Sequence, residues 1–118
     1  MSKKDKANLL SILDATDKIL KYVQGTNSAE DYYQNSLVFD AILMNFLVIG
    51  EMVDRISPEL KSKHSDVDWQ KIKGFRNIVA HDSVGVCFNP YSMLIHTHLT
   101  DLRIRIRNIL TSMSNNKT

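Results

Sequence analysis

Along most of this chain apolar residues return every three or four positions, the period of helices that turn one face inward. Leu9, Ile12, Leu13, Thr16, Leu20 and Val23 keep that rhythm and predict a first helix from about Lys4 to Gln24, stopped by Gly25. A short helical segment is expected from about Ser28 to Gln34, with Glu30 and Asp31 well placed in its first turn. From Ser36 to about Ile56 the pattern changes. Leu37, Val38, Phe39, Ala41, Ile42, Leu43, Met44, Phe46, Leu47, Val48 and Ile49 leave almost no polar face. Such a helix is the centre of a bundle, half of a subunit interface, or both.

Ser57-Pro58-Glu59 ends that helix and opens a short helical turn through about Lys63, with Pro58 suited to its first position. Ser65 to Asp68 reads as a polar connector. Asp68 can cap a fourth helix that carries Trp69, Ile72, Phe75, Ile78 and Val79 and ends near His81. Ser83 to Asn89 reads as a loop, and Asn89-Pro90 opens the last helix. There Ile95, Leu99, Leu102, Ile106, Ile109 and Met113 form a narrow seam at four-three spacing, with a frayed tail from about residue 112 to 118. The chain has only four glycines and two prolines, and no alternating strand pattern. The expected fold class is all-α: an up-and-down bundle of four main helices with short accessory helices.

Composition narrows the class without naming a function. A chain of 118 residues, 43% hydrophobic and 24% charged, is expected to form one globular domain over 1–118. A net charge of +2 is too small to argue for a polyanionic partner, so any such site must come from local arrangement. The one cysteine, Cys87, sits between Val86 and Phe88 and reads as a small buried hydrophobe. It cannot form an internal disulfide, which fits a reducing, cytoplasmic setting. The N-terminus lacks the pattern of a signal peptide, and the apolar stretch Leu37 to Ile49 is too short and too interrupted by Asp40 and Asn45 to span a membrane. His96 and His98 point about 200° apart on a helix and cannot chelate one ion, so no metal site is expected. Arg103 and Arg107 share a solvated face, while Arg105 is placed to pair with Asp101.

The chemistry-bearing stretch is Lys71-Ile72-Lys73-Gly74-Phe75-Arg76-Asn77-Ile78-Val79-Ala80-His81-Asp82. A five-residue helical step turns through about 500°, so Arg76 and His81 are not stacked; a long arginine and a histidine at the helix end can still converge on one pocket. A two-fold dimer could bring both copies of the motif into one cleft. Guanidinium offers bidentate hydrogen bonds to phosphate, and imidazole titrates near neutrality as general acid or base. Together they suit attack of an RNA 2′-hydroxyl on the adjacent phosphorus, with no metal or other cofactor. Lys71 and Lys73 could steer a polyanion. An anonymous pair at this spacing is more often two cations complementing a helix end.

The surroundings decide between the two. Gly74-Phe-Arg-Asn-Ile-Val-Ala-His-Asp82 resembles the R-x4-H motif of HEPN-domain proteins, in the form found in HepT toxins. Ile49-Gly50-Glu51, the run Ser57 to His64, Asp68-Trp69 and Ile72 are similar to that subfamily in order and spacing, so the resemblance covers roughly residues 5 to 112. It implies a HEPN-like bundle and a metal-independent RNase, active as a homodimer with the cleft at its interface. It also implies a toxin role beside a minimal nucleotidyltransferase antitoxin. Arg76 and His81 match the catalytic pair, with Asn77 and Asp82 beside them; Glu51 matches an acidic position on the long helix, suited to pairing with a motif cation. The chain departs from the family at Ser83, where the pattern has the tyrosine that accepts adenylylation by the antitoxin. Loss of that ring also removes a surface on which a base could stack. A divergent copy that binds RNA or a protein partner without turnover is therefore the alternative reading.

Overall fold

A computed structural model describes residues 3–25, 36–74 and 93–115. Within them lie five helices and no strands, the all-α architecture expected: α1 (Lys3–Gly25), α2 (Ser36–Arg55), α3 (Pro58–Lys63), α4 (69–74) and α5 (Met93–Asn115). The segment expected from Ser28 to Gln34 and the loop from Ser83 to Asn89 lie outside the described residues. The last helix runs to Asn115, so it extends into the stretch read as a frayed tail. Among the described residues no helix is long and apolar enough to cross a membrane.

The helix lodged between two neighbours is α1, which packs against both α2 and α5. Its buried stripe is Leu9, Ile12, Ala15, Thr16, Ile19 and Val23. Leu13 and Leu20, expected inside, are only partly buried and flank the stripe. Thr16 is tolerated at full burial because its hydroxyl donates to the Ile12 carbonyl at 2.8 Å. On α2, Ile42, Phe46, Ile49 and Val53 face the core, while Leu37 is 81% and Met44 60% exposed. The most apolar helix thus leaves part of its surface uncovered, and among the described helices it is α1 that packs against two neighbours. From Leu99 on, the α5 seam is as expected: Leu99, Leu102, Ile106 and Ile109 are buried, and Met113 packs on the same core, while the side chain of Ile95 lies outside the described ones.

Two polar ties fix α1 to the α2–α3 corner. Ser57 donates from its backbone N–H to Asp5 Oδ1 at 2.9 Å and from its hydroxyl to Asp5 Oδ2 at 2.6 Å. Asn8 Nδ2 donates to the Arg55 carbonyl at 3.3 Å. Ser57 is also the N-cap of α3, its Oγ accepting from the Leu60 N–H at 3.2 Å, with Pro58 in the first turn. Along α5, Arg103 Nε lies 3.1 Å from Asp17 Oδ1 on α1. Arg105 bonds Asp101 within its own helix and Asp66 in the connector, each at 2.8 Å. The pairing of Arg105 with Asp101 is the one expected from their spacing; Asp66 is an additional partner from outside the helix.

Candidate functional site

The elements that lead into Arg76 and His81 are built from local signals. Asp68 Oδ1 accepts from the Lys71 N–H at 3.0 Å, which makes Asp68 the cap of α4 as expected. Trp69 is buried, and its indole N–H donates to the His64 carbonyl at 3.1 Å, where α3 ends. The connector is less polar than its composition implied, because Val67 is 3% exposed and joins Trp69 and Ile72 in the core. A cap, an indole bond and two apolar anchors hold the first turn of α4.

One more tie reaches α4 from α2. Lys73 Nζ lies 3.1 Å from Asp54 Oδ1, both groups partly exposed. The charge expected to steer a polyanion thus has a carboxylate beside it. Asp54 is a residue that sequence reasoning missed; its signal was the three-residue step from Glu51, which puts both carboxylates on one face of α2. Glu51 itself is exposed near the C-terminal end of α2. Lys71 uses its backbone in the cap and leaves its side chain exposed. Arg76, Asn77, His81, Asp82 and Ser83 lie outside the described residues. The structure therefore brings Asp54 and Lys73 together and describes the approach to the motif.

A cavity of about 40 Å³ opens between α4 and α5, lined by Lys71, Ile72, His98 and Arg105 among others. That is room for a water molecule and far below the roughly 300 Å³ of a small-ligand site. It is a packing gap.

Comparison with known proteins places this arrangement. Residues 12–109 match the family described as Ribonuclease HepT-like, from near the middle of α1 to the last turns of α5. The chain belongs to the HepT-like ribonuclease family. Among HepT-like relatives, "Putative RNase TTE0752" of Caldanaerobacter subterraneus is 28% identical over 99 residues, covering 84% of this chain and 88% of that protein. "Putative RNase MJ1380" of Methanocaldococcus jannaschii is 29% identical over 87 residues, covering 73% of this chain and 79% of the other. A third, "Gamma-glutamylcyclotransferase and putative RNase MJ0434" of the same archaeon, is 22% identical across 99% of this chain but only 52% of its own length. No solved structure matches the chain. The HepT-like match encloses Arg76 to His81, so the family reading drawn from that motif and its upstream segments holds over most of the sequence.

Proposed function

We propose that this chain is a metal-independent endoribonuclease in which Arg76 binds the scissile phosphate and His81 moves the protons. One observation carries the reading: an R-x4-H motif lies inside a HepT-like match that spans residues 12–109. His81 removes the 2′-hydroxyl proton, and the 2′-oxygen attacks the adjacent phosphorus. Arg76 holds the charge gathering on the non-bridging oxygens. The bond to the 5′-oxygen breaks, that oxygen is protonated, and a 2′,3′-cyclic phosphate remains. Asn77 and Asp82 flank the pair, and Glu51 holds a motif cation. Lys71 contributes to the approach of substrate, Lys73 acts only at close range because Asp54 lies beside it, and no cofactor is required.

The active species is a homodimer with the two motifs in one interfacial cleft. The exposure of Leu37 and Met44, seven residues apart on one face of α2, supports an apolar surface for association. The chain acts as a single domain and as the toxin of a toxin–antitoxin pair in the cytoplasm, opposite a minimal nucleotidyltransferase. Purified protein should cleave RNA in EDTA and leave cyclic-phosphate or 3′-phosphate ends. His81→Ala should lower the rate by about 10²–10⁴. Equal inertness of wild type and His81→Ala on varied RNAs refutes the reading. Ser83 favours a second one, a binding module without turnover; growth arrest that depends on His81 would exclude it.

A further inference from the structure

The motif follows α4 directly along the chain, and the core holds α4 by one face. Trp69 and Ile72, three residues apart and so on the same side of the helix, are both buried. One apolar face fixes how deep so short a helix sits; it does not fix how far the helix rolls about that face. Lys73 lies about 100° round the helix from Ile72, off the buried face and exposed. Its ammonium reaches Asp54 Oδ1 on α2 at 3.1 Å. That tie is lateral, and it falls three residues before Arg76 in the chain.

A lateral tie sets a position only if its far end is fixed, and this one is. Val53 before Asp54 and Ile56 after it are buried. Asn8 of α1 donates to the Arg55 carbonyl, and Asp5 accepts two hydrogen bonds from Ser57. Asp54 therefore stands on a stretch of backbone held from both sides. Stability gives little reason for the pair, because both side chains are partly exposed and solvent screens such a pair to a small contribution. Attraction of RNA gives no reason either, since the carboxylate offsets the ammonium beside it. Position does give one: a displacement of about 1 Å, arising far from the chemistry, can cost a factor of about 10² in rate.

We infer that Asp54 is a positioning residue: by holding Lys73 it fixes the roll of α4 and with it the setting of Arg76. The inference deepens the ribonuclease reading and rests on it for the choice of reaction.

The test compares steady-state cleavage of an oligoribonucleotide by wild type, Asp54→Asn, Asp54→Glu and the charge exchange that combines Asp54→Lys with Lys73→Asp. Asp14→Asn is the control, because it breaks another exposed pair, with Lys18 at 3.0 Å on α1. Asp54→Asn should lower kcat at least about tenfold, with KM unchanged or lower, since the released ammonium attracts substrate. Asp54→Glu should recover most of that loss and the charge exchange part of it. Asp14→Asn should leave kcat and KM unchanged. Wild-type kcat in Asp54→Asn overturns the inference, as does an equal fall in Asp14→Asn. A raised KM with kcat unchanged also overturns it, because the carboxylate would then act on substrate binding.

Hydrogen exchange reads the tie without turnover. The Ile72 N–H bonds the Asp68 carbonyl at 3.2 Å, and the amides of residues 72–74 should exchange at least about threefold faster in Asp54→Asn than in wild type or Asp14→Asn. Unchanged exchange there overturns the tie whether or not RNA is cut. A wild type that cleaves nothing refutes the ribonuclease reading while exchange still decides the tie. A wild type that cleaves, with kcat retained in Asp54→Asn, refutes the positioning role alone.

Discussion

Removing the Asp5 carboxylate should uncouple α1 from the α2–α3 corner at a cost readable in unfolding. Asp5 is 4% exposed and accepts two bonds from Ser57, at 2.9 and 2.6 Å. A hydrogen bond to an ionised group contributes about 1.5–3 kcal/mol, and two bonds sharing one partner add less than twice that. For Asp5→Ala the expected loss is therefore about 3 kcal/mol. Ser57→Ala removes one of these bonds and the cap of α3, which alone is worth about 1 kcal/mol, so about 2.5 kcal/mol is expected. The two changes share a hydrogen bond, and the double variant should be less damaged than the sum by about 1 kcal/mol or more. Urea unfolding followed by far-ultraviolet circular dichroism, at one fixed protein concentration, measures all three. A coupling below about 0.5 kcal/mol would mean that the corner is held by packing and that the carboxylate is incidental.

Four further outcomes are expected. Gly74→Ala should raise stability by about 0.4–1 kcal/mol, because the position is helical and an added Cβ meets nothing within 4 Å; a loss of RNA cleavage with stability gained would show that Gly74 serves the motif. Phe46→Ala, emptying a fully buried site on α2, should cost about 3–5 kcal/mol in urea unfolding. Lys73→Ala should cost less than about 1 kcal/mol, since its pair with Asp54 is partly exposed and screened by solvent. Arg105→Gln should lower the urea midpoint, less so at high salt. The hydrogen bond to Asp101, then its charge and that of Asp66, hold this guanidinium above its ordinary range. A raised cation contributes fully below its unfolded pKa and loses that contribution only as pH rises through the folded one, so the Arg105→Gln deficit should stay constant from about pH 7 to about pH 10.

The legible parts of this fold were local ones. Ser57-Pro58 and Asp68 announce their helices because a cap bonds backbone three residues away, within the reach of a sequence pattern. Asp101 and Arg105 are legible for the same reason, one helical turn apart. Asp5 with Ser57, Lys73 with Asp54 and Arg105 with Asp66 were not, since nothing in a charged residue's own neighbourhood says which distant turn it will meet. The surroundings of the most apolar helix were left open, as a bundle centre, a subunit interface, or both. Periodicity measures how much surface a helix wants covered, and α2 wants most; it does not say how many neighbours the topology supplies. Leu37 and Met44 stay exposed while α1 sits between two helices. For the candidate site, the family was legible through Gly74 to Asp82 and the upstream segments, and the family match sustains the family reading.

The Asp54–Lys73 pair bears on how the motif divides its labour. A phosphodiester backbone approaching α4 meets an ammonium that already has a carboxylate 3.1 Å away. From a distance the two charges largely cancel, so Lys73 adds little to a field acting over a Debye length of about 8–10 Å. Close to, it can donate hydrogen bonds but brings its negative neighbour with it. In the proposed ribonuclease, the cation assigned to the transition state is Arg76, two residues beyond Gly74. Guanidinium suits that duty because its charge persists at any relevant pH and its fork matches two phosphate oxygens. Arg76→Lys, which keeps the charge and discards the fork, should leave RNA cleavage well below wild type if this division of labour holds. Cleavage restored to the wild-type rate would mean that simple charge suffices there.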